Sequence, residues 1–152
     1  MNTEVMKAFG MQFGASQTEF IQSKATGELF FLETSSRVGG ANLAEMVEAA
    51  SGVNLWAEWA RIESANLRKK AYKLPKINNQ YAGIVVSLSR FEYPDTTSFT
   101  EKEIVWRMHK AWHIGLIIVS DSRERVLELL DQYTERIGNE FHASLPAPDK
   151  SL

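Results

Sequence analysis

The chain has 152 residues, 44% of them hydrophobic and 24% charged, which is enough for one core or two small subdomains of ordinary globular composition. A formal net charge of −2 gives no electrostatic footprint for nucleic acid, and the longest basic run is Arg68-Lys69-Lys70. The absence of cysteine excludes disulfides, thiolate metal sites and cysteine nucleophiles. The strongest apolar run, Ile114 to Val119, is too short to span a bilayer, and Met1-Asn2-Thr3-Glu4 lacks the basic start of a secretory signal. These features lead us to expect a soluble, cytoplasmic protein with neither nucleic-acid nor membrane partners.

Residues 3 to 9 have the spacing of a short helix ending near Gly10, with Val5, Met6 and Phe9 on one side. Two strand-like runs follow, 18 to 23 and 28 to 33, flanking Ala25-Thr26-Gly27, which reads as a three-residue hairpin loop closed by Lys24 and Glu28. That closure places Glu19 opposite Glu33 and Ile21 opposite Phe31. Like charges opposed across an antiparallel pair, ~5 Å apart at an effective dielectric of ~20, repel by about 3 kcal/mol. A hard divalent cation such as magnesium, shared with nucleotide phosphates, compensates that repulsion. The competing reading is a solvated hairpin whose acids splay into water. Ile21 and Phe31 beside the acids count against full solvation.

After Glu33 the chain runs through Thr34-Ser35-Ser36-Arg37-Val38-Gly39-Gly40 into a helix, with Asn42 and Glu45 at the spacing of a capping box. Paired glycines ahead of a helix can shape a backbone concavity for an anion, and Arg37 brings a planar donor fork suited to carboxylate or phosphate. An ordinary loop, with Arg37 paired to a neighbouring acid, is the alternative. Gly52 ends that helix, and Asn54 caps another over about 55 to 69, whose tryptophans read as core. Pro75 and the polar stretch after it mark a boundary. Strands are expected at 81 to 88, 103 to 108 and 113 to 119, and then a long helix opened by Asp121 and Glu124. Val126, Leu130, Tyr133, Ile137 and Phe141 give that helix its apolar face. The three histidines have no ligand spacing, and the glycine patterns of P-loops, dinucleotide folds and nucleophile elbows are absent from the sequence. The expected organisation is a hairpin-bearing domain over 1 to 74, a small α+β subdomain over 75 to 145 and a mobile tail over 146 to 152.

With the acids, the arginine and the glycines assembled, residues 14 to 20 and 29 to 40 resemble the C-terminal half of an ATP-grasp domain, the superfamily of biotin carboxylase, carbamoyl phosphate synthetase and the carboxylate-amine ligases. The Arg-x-Gly-Gly continuation is most similar to the amino-acid ligase branch. The resemblance implies an α+β fold with an antiparallel sheet and packed helices. It implies ATP and up to two magnesium ions as cofactors, with Glu19, Glu33 and Ser35 as metal ligands and Ile21 beneath adenine. Arg37 becomes the catalytic residue that stabilises the transferred phosphoryl group, and Gly39 and Gly40 the loop that receives the carboxylate. Ser35 stands where the pattern has asparagine, and a hydroxyl is the weaker ligand, which places the second magnesium site in doubt.

The lysines, lid and hinge acids that the family places upstream have no place before Glu19. The implied protein is therefore the C-terminal portion of a ligase that joins a small-molecule carboxylate to an amine through an acyl phosphate, inactive without its N-terminal lobe. A non-catalytic binding or assembly module and a bicarbonate-activating enzyme fragment are the alternatives. A missing lobe also predicts exposed apolar surface around Ile21, Phe31 and the first helix, and with it self-association into homo-oligomers.

Overall fold

The computed structural model describes residues 1–144; the tail expected from Pro146 lies outside the described residues. The architecture is α+β, with antiparallel sheets and four helices, and divides into two compact units. Unit 1 comprises Met1–Glu48 and Gly52–Ile77, and unit 2 comprises Ala49–Ser51 and the chain from Asn78 onward. No helix among the described residues is long and apolar enough to cross a membrane.

Unit 1 carries α1 (Asn2–Ala8), the antiparallel pair β1 (Gln17–Gln22) and β2 (Leu29–Ser35), most of α2 (Leu43–Ser51) and α3 (Leu55–Leu67). The hairpin loop is one residue longer than the sequence predicts. Ser23 N–H donates to Glu28 O at 2.9 Å and Gly27 N–H to Ser23 O at 2.9 Å, so Ser23 and Glu28 close a loop of Lys24-Ala25-Thr26-Gly27. Two features draw Ser23 out of the strand: its hydroxyl accepts from Thr26 N–H at 3.2 Å, and Gly27 takes φ +72°, where a side chain would be strained.

The longer loop shifts the tip register, so that Phe20 pairs with Phe31 and Ile21 with Phe30. A β-bulge between Glu19 and Phe20, with Leu32 as the extra residue of β2, restores the register beyond it. Glu19 pairs with Glu33 as expected, while Phe30 takes the place expected of Phe31.

Two expected caps are corrected. Asn42 lies in the left-handed region at φ 62°, where its side chain makes no cap hydrogen bond, and the helix begins at Leu43 after a turn in which Leu43 N–H donates to Gly40 O at 3.0 Å. The long helix α4 (Arg123–Glu140) is capped by Ser122, whose Oγ accepts from Arg125 N–H, rather than by Asp121. Asn54 caps α3 as expected, accepting from Ala57 N–H at 2.9 Å. The tryptophans of α3 are not core: Trp56 is 53% exposed and Trp59 half-buried, and the most buried residue of this helix is Glu58.

In unit 2, β3 (Tyr81–Leu88), β4 (Ile104–Arg107) and β5 (His113–Ser120) form an antiparallel sheet in the order β3-β5-β4. Ile114, Leu116 and Ile118 alternate along β5 and meet Val126, Leu129, Tyr133 and Ile137 of α4, with Phe99 and Phe141 completing the core. Leu129 replaces Leu130 in the fully buried set, and Leu130 packs at the margin. Arg107 ties the connecting loop down by donating to Thr96 O and Phe99 O, each at 2.6 Å. Tyr133 Oη donates to Glu101 Oε2 at 2.5 Å, holding the Glu101 carboxyl below its usual range, while burial and that bond push the Tyr133 phenol up.

Two measurements check this packing. A Cβ on Gly83 of β3 would meet Leu130 Cδ1 at 2.8 Å and Cγ at 2.9 Å, so Gly83→Ala is expected to cost about 1–3 kcal/mol in denaturant unfolding. Because the Glu101 carboxyl is depressed in the folded state, its contribution is present above the unfolded carboxyl value and lost as pH falls through the folded one. Tyr133→Phe should therefore lower stability at pH 7 by about 1–2 kcal/mol and flatten the acid-side decline of the urea midpoint.

Candidate functional site

The register of β1 and β2 assembles one polar face. Residues two apart share a side, and directly paired residues share it too, so Gln17, Glu19, Glu33 and Ser35 stand together, followed past the bulge by Ile21 and Phe30. Thr18 and Thr34 occupy the opposite face, their hydroxyls 2.9 Å apart, together with Phe20 and Phe31, whose rings meet edge-on at 6.2 Å. Phe31 also packs against Phe9 of α1 at 6.2 Å. The acids are exposed, as are Ile21 at 54% and Phe30 at 51%. Exposed apolar surface therefore exists where the sequence led us to expect it, but Phe31 contributes it on the face away from the acids.

The potential ligand atoms that the strands bring to this face are oxygens, those of two carboxylates and the Ser35 hydroxyl, while Gln17 turns its Nε2 toward Glu19. Such a donor set suits a hard divalent cation rather than a soft one. Among the described residues no group of three or more His, Cys, Asp or Glu side chains could hold a metal ion. A cation held here would have at most two protein carboxylates, so its remaining positions would fall to neutral oxygens, water or ligand phosphates. Gln17 was not singled out from sequence, although its position two residues before Glu19 puts it on the same strand face. Its Nε2 donates to Glu19 Oε1 at 3.2 Å, and its Oε1 is buried with no hydrogen-bond partner.

Arg37 follows the strand and is exposed. Its Nη1 donates to Val38 O at 3.1 Å and lies 3.8 Å from where a Cβ on Gly40 would sit, so the guanidinium folds over the glycine pair instead of pairing with an acid. Gly39 is the junction of the site. A Cβ there would come within 3.4 Å of Gln17 Oε1 and of Leu43 Cβ, and the same residue lines a cavity of about 210 Å³. Val38, Val53, Leu55, Trp59 and Ile62 give that cavity an apolar wall.

Glu58 and Tyr72 also line the cavity. Glu58 sits on the apolar stripe of α3 with Leu55, Trp59 and Ile62, and is only 6% exposed. Both of its oxygens are engaged: Arg61 Nη1 donates to Oε1, and Tyr72 Oη donates to Oε2 at 2.6 Å. The tyrosine bond, ahead of Arg61, holds the Glu58 carboxyl low, and the same bond pushes the Tyr72 phenol up. The charged position within an apolar stripe is legible in the sequence. Its partner, 14 residues on in a segment without regular structure, is not.

No family model matches the chain, and no curated protein matches its sequence. Among solved structures, phosphoribosylglycinamide synthetase from Anaerococcus prevotii is similar with a TM-score of 0.55 and 19% identity, over 95% of this chain and 41% of that one. The fold is ATP-grasp-like. The chain spans about two fifths of the length of the solved relative, in the α+β arrangement of an ATP-grasp C-terminal lobe. At 19% identity the likeness speaks to the fold, and the roles of residues in this ATP-grasp-like lobe rest on its own geometry.

The Tyr72–Glu58 bond ties down the segment that closes one side of the cavity. Tyr72→Phe is expected to speed tryptic cleavage at Lys70 and Lys73 several-fold while leaving far-ultraviolet circular dichroism unchanged; unchanged cleavage would show that the tether does not hold the segment.

Proposed function

We propose that this chain is the metal-binding, C-terminal portion of an ATP-dependent carboxylate-amine ligase. The observation that carries the reading is the Glu19–Glu33 rung, with Ile21 on one side of it along the strand and Ser35 and Arg37 on the other. That order suits an extended nucleotide, with adenine over Ile21, phosphates and magnesium at the acids, and the reacting carboxylate near Arg37 and the Gly39-Gly40 loop.

In this reading ATP phosphorylates the carboxylate, and an amine then displaces phosphate from the acyl phosphate. Magnesium, when bound, neutralises charge on the phosphate oxygens. Glu19 and Glu33 hold it, with Ser35 as a weak additional ligand. Arg37 supplies planar donors to the phosphoryl oxygens as negative charge builds on them. Gly39 and Gly40 let the substrate carboxylate approach the backbone without meeting a side chain. The lysines and lid that hold ATP fall to the rest of the fold, in keeping with the 41% coverage of the solved relative.

The cavity beside Gly39 favours an organic acid over bicarbonate. At about 210 Å³ it exceeds the ~150 Å³ apolar cavity that accommodates benzene, so a ring-sized apolar group on the acid has a place to go. The exposed apolar residues of the hairpin are surface that the remainder of the ligase, or a second copy of the chain, would cover.

Purified alone, the chain should turn over ATP negligibly; a robust ATPase rate would contradict the assignment to one portion of the enzyme. Joined to an ATP-holding lobe, Glu33→Gln should cut ATP-dependent amide formation by at least about 100-fold. Undiminished product would favour a non-catalytic binding module in which the acids are structural.

A further inference from the structure

The two edges of the unit 2 sheet are built differently. β4 is four residues long, carries Arg107 and is broken by a bulge between Ile104 and Trp106, features that keep an edge from pairing with another strand. β3 has none of them: its eight residues include neither charge nor proline and run in unbroken register with β5. Val86 and Leu88 on it are 41% and 43% exposed. Among the described residues, no backbone hydrogen bond reaches Ala82, Ile84 or Val86 from the side away from β5. An edge of this kind is open to one more strand.

The chain itself begins that strand. After α4 it turns back beside the end of β3, where Ser89 and His142 form an antiparallel bridge. Arg90 N–H donates to Phe141 O at 2.8 Å and Ala143 N–H to Leu88 O at 3.4 Å, so ladder bonds flank the bridge on both sides. Ser87 Oγ lies 2.8 Å from His142 Nδ1, and Arg90 Nη2 donates to His142 O at 3.0 Å, which fixes the starting register. Ser89 N–H points the other way, donating to Trp112 O just ahead of β5 at 2.9 Å. Backbone groups alternate sides along a strand, so Leu88, Val86, Ile84 and Ala82 present theirs to the open edge.

The described residues end at Ser144, and the sequence continues Leu145-Pro146-Ala147-Pro148-Asp149. In the same register, residues 145, 147 and 149 would face Val86, Ile84 and Ala82 with their backbone groups, while 146 and 148 would turn theirs outward. The two prolines fall on the outward positions, where no N–H is needed and where they block a further strand. Each proline also biases the residue before it toward extended backbone. Leu145 comes beside exposed Val86. A slip of one residue would set both prolines against β3 and forfeit two hydrogen bonds.

We propose that residues 145–149 are a fourth strand of this sheet, laid antiparallel on β3, and that this segment occupies the edge in place of a second copy of the chain. Nothing in this strand depends on the ligase reading, which concerns unit 1.

Amide hydrogen exchange of the whole chain, followed by nuclear magnetic resonance, tests it. The outward amides of Ile84 and Val86 should exchange at least about tenfold slower in the full chain than in one ending at Ser144. The amides of Gly83 and Val85, directed at β5, should stay protected in both and report that the sheet is intact. Moving one proline by a residue, Pro146→Ala with Ala147→Pro, should release Ile84 and Val86 as truncation does, because a proline then faces β3. Pro146→Ala alone should leave both protected. Fast exchange of Ile84 and Val86 in the full chain would overturn the proposal. So would slow exchange that survives truncation: if it grows with protein concentration, a second copy holds the edge, and if it does not, another part of the chain does.

Discussion

Two glutamates held opposite each other across an antiparallel pair are the constraint on which the site depends. Electrostatics alone would drive Glu19 and Glu33 apart, and two devices fix them together. The Thr18–Thr34 hydroxyl contact ties the strands on the far face, one residue along each strand from the acids. The bulge at Leu32 lets the hairpin tip adopt its own register without moving the acid rung. Opposed like charges on one exposed face are the feature on which the proposed cation site rests, and beside them stand the Ser35 hydroxyl, the Gln17 amide that donates to Glu19, and apolar residues.

Gly39 connects this charged face to an apolar space. One side of it touches Gln17, next to the acids, and it also borders the cavity walled by Val38, Trp59 and Ile62. Arg37 turns back over the neighbouring Gly40, its Nη1 donating to Val38 O and, among the described residues, forming no ion pair. A side chain at residue 39 would crowd the junction. In this way the glycine pair brings the face of paired acids, an arginine and a cavity together within one short segment, which is the arrangement the proposed ligase reading draws on.

Much of this was legible in the sequence, for identifiable reasons. The acid rung could be read because strand periodicity fixes which residues share a face, and an error of one residue in the loop was cancelled by a bulge of one residue. The loop is longer than its pattern suggests because Ser23, which continues the run 18 to 22 in sequence, uses its hydroxyl to accept from Thr26 N–H within the turn instead. Asn42 was misread for a related reason: the capping-box spacing to Glu45 is present, but the left-handed turn after Gly40 uses Asn42 for its backbone conformation. Strand and helix order in unit 2 followed directly from the continuous β-rich apolar run of β5 and the 3.6-residue period of α4. What the sequence concealed were contacts between distant residues, above all Tyr72 on Glu58 and the buried oxygen of Gln17, because no local pattern records which side chains meet.

The most direct test of the central claim is to locate a cation. Crystals of the chain soaked in Mn²⁺ and a non-hydrolysable ATP analogue should show one anomalous peak within about 2.3 Å of carboxylate oxygens from both Glu19 and Glu33. A peak on one carboxylate alone, or both side chains turned to water with no ion between them, would contradict the account.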